Sequence, residues 1–150
     1  MSKNTAIELN QEVESETIPI FGYELMREVL LPEILGDDAP AILYWAGKQL
    51  ARKYPLKNSE EIIDFFKQAG WGNLTIISET KNEYKLELSS TAISKRLQSK
   101  EEHHFQLEAG FLAEQMEILK QVVSETFEHP RKRSGKVLFT VKWDHKDNLF

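Results

Sequence analysis

The chain has 150 residues and a mass of 17.4 kDa, enough for one domain with a core of its own. Its 19 basic and 24 acidic side chains leave a net charge of −5, which argues against non-specific nucleic-acid binding. Cysteine is absent, so disulfides, thiolate nucleophiles, iron–sulfur clusters and cysteine-based zinc sites are excluded; no apolar run approaches the ~18 residues of a membrane-spanning helix.

Residues 1–17 are polar, with Glu8, Glu12, Glu14 and Glu16 against Lys3 alone. They hold too few apolar groups to offset the entropy of ordering, so a disordered acidic tail is expected, followed by a single domain over 18–150. No signal-peptide stretch occurs, and Met1 is followed by Ser2 rather than by the glycine that myristoylation requires. The expected location is cytoplasmic.

From residue 20 to 35, Phe21, Leu25 and Val29 recur at i, i+4, with Met26 and Leu30 beside them, and predict a helix with a broad apolar face. Pro32 should end or kink it. Asp37 and Asp38 before Pro40 open a second helix that runs to about Tyr54, ahead of Pro55. There Leu43, Ala46, Gly47, Leu50 and Tyr54 share a face, and Gly47 permits close backbone approach at a propensity cost of up to ~1 kcal/mol. Asn58 with Glu61 fits a capping box for a third helix, closed by Gly70.

The period then changes to two. Tyr84, Leu86 and Leu88 alternate with charged residues and should pair with 73–79 in a hairpin. Residues 91–101 read as irregular or a short helix. Over 102–121, Phe105, Ala109, Leu112, Met116 and Leu119 form one stripe and Leu107, Phe111 and Ile118 a second, so this helix should be packed on two sides. Strands over 122–127 and 136–143 close the chain around a basic loop at 129–135. The order is therefore ααα-ββ-α-ββ, an α+β fold with helices on an antiparallel sheet.

Chemical motifs are sparse. His104 and Glu108, at i, i+4 on the expected helix, read as a surface pair, and no metal site is expected. No nucleophile elbow and no phosphate-binding glycine motif occurs. Glu108 and Glu114 lie beside the apolar stripes of the central helix. If buried they become site candidates; the plainer reading is a helix-edge carboxylate reaching solvent or capping a backbone group. Lys48, Arg52, Lys53 and Lys57 form one basic cluster. Arg131, Lys132, Arg133 and Lys136 form another and are partner-binding candidates, set against a plain solvated face. Trp45, Phe65, Trp71 and Phe111, with Glu108, are the candidates for lining a ligand pocket, set against plain core.

Five stretches, 18–24 (IPIFGYE), 42–48 (ILYWAGK), 69–74 (AGWGNL), 105–115 (FQLEAGFLAEQ) and 135–143 (GKVLFTVKW), make the chain resemble the YslB family, uncharacterised proteins of low-GC Gram-positive bacteria. More distantly it is similar to 4-vinyl-reductase-type domains, Bet3-like subunits of the TRAPP tethering complex and haem-based nitric-oxide sensors. That resemblance implies a nitric-oxide-signalling and Golgi-transport ligand-binding type of fold, used for ligand binding or protein interaction and often dimeric through helices. It carries over no catalytic residue. The cysteines used elsewhere in the superfamily for metal binding or acyl attachment are missing, so no cofactor is expected. Three functions follow as expectations. The first is a non-catalytic module binding a small apolar or amphipathic ligand in a core pocket. The second is a homodimeric adaptor with a basic loop for an acidic partner, and the third is an enzyme using Glu108 or Glu114.

Overall fold

The computed structural model describes residues 16–148; the tail expected over 1–17 falls outside the described residues for positions 1–15. Helix α1 passes through three forms, an α turn at Ile20–Glu24, a π segment at Leu25–Leu30 and an α turn at Leu31–Leu35. Pro32 therefore does not end the helix. The irregularity lies ahead of it instead, in the π segment Leu25–Leu30 that directly precedes the Pro32 turn. Gly36, at φ 72°, begins the short turn Gly36–Asp38 that leads into α2 (Ala39–Lys53). Helix α3 (Ser59–Gln68) carries the expected cap, with the Asn58 side chain accepting from the Glu61 N–H at 2.9 Å.

Strands β1 (Asn73–Glu79) and β2 (Glu83–Ser89) form the first hairpin, with a bulge between Ile76 and Ser78. Helix α4 (Thr91–Gln98) is regular, capped by Ser90, whose hydroxyl accepts from the Ile93 N–H at 3.0 Å. Helix α5 (Gln106–Lys120) starts four residues later than the pattern predicts. The Phe105 N–H is held by both carboxylate oxygens of Glu128, at 2.9 and 3.1 Å, and so lies outside the helical ladder. His104 therefore shares no helical turn with Glu108, and the expected i, i+4 pair does not form.

Strand β3 (Val122–Arg131) pairs with β4 (Lys136–Asn148), so the expected basic loop is only a four-residue turn. Pro130 stays in the strand because β3 is an edge, where a residue without an N–H breaks no central ladder. The order is β1-β2-β4-β3, antiparallel throughout. Leu86, Leu88, Val137, Phe139 and Val141 line the inner face at 0–1% exposure. Helix α5 lies between that face and α2, and everything from Glu108 to Met116 is buried. Gly47 and Gly110 let α2 and α5 touch: a Cβ on Gly110 would fall 2.8 Å from the Tyr44 carbonyl carbon, and one on Gly47 2.7 Å from the Phe111 nitrogen. The two-sided helix is thus realised with backbone against backbone.

The inner amide of Gln115 holds the break after α2. It donates to the Tyr54 carbonyl at 2.9 Å and accepts from the Leu56 N–H at 3.1 Å, supplying bonds that Pro55 cannot.

Candidate interaction surface and the charge cluster beneath it

Helix α1 is inside out. The expected broad apolar face points outward, with Phe21, Met26 and Val29 57–68% exposed. Glu24, Arg27 and Glu28 face the body instead, while Glu33 is exposed. Glu24 makes a two-pronged bond to Arg96 of α4, at 2.7 and 3.1 Å. Arg27, 5% exposed, reaches Glu108 of α5 at 2.5 Å, and Glu28 meets His103 at 2.7 Å. Three partners on separate parts of the body thus outweigh what the apolar stripe would gain by turning in. Buried ionic groups left unpaired would cost several kcal/mol each, against ~1.5–3 kcal/mol for burying an apolar side chain.

Burial works against the charge of Arg27, but the Glu108 carboxylate beside it holds its pKa above the ordinary value. Arg96 behaves alike: burial opposes its charge, and the bonds it donates to Glu24 raise its pKa. Burial also raises the Tyr23 hydroxyl, which accepts from Arg27 at 3.1 Å. Next to this cluster lies a cavity of about 200 Å³ bordered by Arg27, Glu28, His103 and His104.

Glu128 closes the far side. Burial raises its pKa, partly opposed by bonds from Gln106 and the Phe105 N–H. A carboxyl raised in the fold favours folding most below its unfolded value, and loses that contribution as pH rises through the folded one. Glu128→Gln should therefore gain on the wild type as pH rises through and above the usual carboxylate range. Urea denaturation between pH 4 and 7 measures it; a difference that does not change with pH would refute it.

The sequence-predicted residues fall in several places. Glu108 and Glu114 are both buried, at 1% and 6%, and neither reaches solvent as the plainer reading supposed. Glu114 bonds Arg52 at 3.1 Å, and Lys48 lies 3.7 Å from Glu117, so two cations of the first basic cluster face carboxylates of α5. Phe65 and Phe111 stack in the core at 4.7 Å between centroids, and Trp71 meets both edge-on at 5.7 and 5.2 Å. Trp45 is apart from them, 61% exposed, because Leu43 and Gly47 occupy the inner face of α2 and position 45 points about 200° away from Leu43. Arg131 and Lys136 pair across the β3–β4 ends, with exposed Lys132 and Arg133 in the turn between them. Sequence reasoning missed Glu24, Arg27, Glu28, Arg96 and His103 as a group. Their only signal, three charges opposite an apolar stripe, is the usual sign of a solvent face.

Comparison with known proteins agrees with this architecture. A family described as "Protein of unknown function (DUF2507)" matches residues 20–142. The "Uncharacterized protein YslB" of Bacillus subtilis is 50% identical over 127 residues, covering 85% of this chain and 86% of that one. "Uncharacterized protein MJ1642" of Methanocaldococcus jannaschii is 28% identical over 91 residues, 61% of this chain and 55% of that one. A crystal structure titled as a vinyl-4-reductase family protein from Methanocaldococcus jannaschii superposes with a TM-score of 0.70 at 26% identity, over 93% of this chain and 91% of that one. Both the YslB resemblance and the 4-vinyl-reductase-type fold are therefore shown. No helix among the described residues is long and apolar enough to cross a membrane.

Proposed function

Since the chain belongs to the DUF2507 family, which carries no assigned activity, we propose that it is a non-catalytic interaction module whose partner is a second copy of itself, joined through the outer faces of α1 and α2. One observation carries this. Between Ile18 and Trp45, ten large apolar side chains are 37–74% exposed. At roughly 150–200 Å² per large side chain they leave on the order of 1,000 Å² open, above the ~300–600 Å² patch of a typical monomer and the ~800 Å² each partner gives up in a stable interface. Glu24, Arg27 and Glu28 are engaged inward, so the outer face of α1 is mostly apolar with Glu33 near its end, a composition that suits a two-fold contact. The superfamily resemblance, with its dimers through helices, supports the same reading.

Sedimentation velocity tests it. The wild type should run as a dimer at micromolar concentration, and Phe21→Glu with Val29→Glu as a folded monomer with unchanged circular dichroism. A wild-type monomer would overturn the proposal, as would a dimer that survives both charges.

A groove favours a second reading, ligand binding outside the core. It measures about 650 Å³ and runs between the start of α1 and α4, with Ile20, Ala92, Lys95, Ser99 and His103 on its walls. Its size suits a small amphipathic molecule. Native mass spectrometry of protein from its own cytoplasm should then show an adduct lost on denaturation; a clean polypeptide mass would dismiss this reading.

A further inference from the structure

At the far end of α4 from that groove's acidic wall lies a second concavity, of about 580 Å³. The sheet register brings Asn73, Ser89 and Lys136 side by side across β1, β2 and β4 at one end. Helix α4 adds Thr91, Ser94 and Lys95, and the β3–β4 turn adds Ser134. Gly135 presses on Ser94: a Cβ there would fall 2.7 Å from the Ser94 hydroxyl, so the turn is seated on the helix and the wall is fixed.

The lining is selective in kind. It holds two lysines, five hydroxyl side chains and an amide, and no carboxylate. The neighbouring groove, by contrast, carries Glu24 and Glu101. In a chain of net charge −5 an acid-free concavity is a local reversal of sign. Lys136 lies 3.5 Å from Glu87 on the strand surface, while Lys95 has no carboxylate partner among the described residues. The Ser90 oxygen accepts from the Ile93 N–H and that of Ser94 accepts from Gln98, which leaves both hydroxyl hydrogens available to donate.

We propose that this concavity binds a phosphorylated small molecule, with the phosphoryl group against Lys95 and Lys136 and the serine hydroxyls. A phosphomonoester brings a charge near −2 and three acceptor oxygens, which matches two ammonium groups and several hydroxyl donors. A carboxylate brings one charge and two oxygens and leaves donors idle. The concavity is open to solvent and has room beyond a phosphate ion, so the rest of an ester can lie along it. The site shares Ser90, Thr91 and Lys95 with the groove that starts at Ile20, but no α1 residue lines it, and it stands whether or not the chain self-associates.

Amide chemical shifts of the full chain decide it, with glycerol 3-phosphate, inorganic phosphate and acetate titrated at matched ionic strength. Saturable shifts confined to residues 89–95 and 134–136 are expected with glycerol 3-phosphate, weaker with inorganic phosphate and absent with acetate. Lys95→Gln with Lys136→Gln, both at exposed positions, should weaken binding about tenfold or more. Phe21→Glu with Val29→Glu should leave the affinity unchanged. Equal shifts with acetate, shifts spread over all basic residues, or binding that survives the lysine changes would overturn the site. Inorganic phosphate binding as tightly as the ester would overturn the ester. Co-sedimentation with phosphatidic-acid vesicles, when glycerol 3-phosphate fails to saturate, would place the phosphoryl group on a lipid headgroup and overturn the soluble ligand.

Discussion

Gly110→Leu should cost more than ~3 kcal/mol and leave little folded protein at room temperature. The new Cβ would sit on the Tyr44 carbonyl group, with that residue's Cα only 3.1 Å away. These are backbone atoms of α2, so no rotamer change relieves the clash and the two helices have to part. The milder Gly110→Ala separates two effects of opposite sign. Alanine gains up to ~1 kcal/mol of helix propensity over glycine, while overpacking costs ~1–3 kcal/mol, so the net change should still be destabilising. Gly47→Ala should behave likewise, since its Cβ would meet Leu107 and Phe111 backbone atoms. Urea denaturation midpoints check all three, and an unchanged or raised midpoint for Gly110→Ala would mean that the helices are not in backbone contact.

Glu108→Ala should lose ~3–5 kcal/mol, because it strands a buried guanidinium. Arg27 is left with the Tyr23 hydroxyl and with Glu28, 3.8 Å away, which is itself engaged with His103. Removing both charges is a different experiment. Arg27→Met with Glu108→Leu should recover most of the loss, since apolar groups of similar volume often replace a buried pair at no cost. The double-mutant cycle gives the coupling directly. A loss below ~1 kcal/mol for Glu108→Ala would show the pair to be solvated and the fastening of α1 to lie elsewhere.

The element order, the antiparallel sheet and the two-faced central helix were legible in the sequence because each rests on periodicity, which is a local property. Tyr84, Leu86 and Leu88 alternate, and all three are buried. The stripes of α5 likewise name the residues that meet α2 and the sheet. What escaped was set by distant partners. Phe21, Leu25 and Val29 read as one apolar face, but the direction it points depends on Arg96, Glu108 and His103, which lie 72 to 81 positions away from Glu24, Arg27 and Glu28. The start of α5 was misplaced for the same reason, since Glu128 takes the Phe105 N–H from a strand 23 residues on. Glu108 and Glu114 were singled out from their position beside apolar stripes, and their burial followed; that each would have an arginine from another helix could not be read from spacing.

The outer strands bear on how far the chain can assemble. Along β3 the Ser124 N–H is held by Glu117 at 3.1 Å and the Thr126 N–H by the Tyr44 hydroxyl at 3.0 Å, so helix side chains occupy donors that an incoming strand would need. The opposite border of the sheet is β1. Open-ended polymerisation through strands needs a free border on each side of every unit. With these donors of β3 taken, strand addition at that border is opposed, and a fibre built by this sheet lacks its second link.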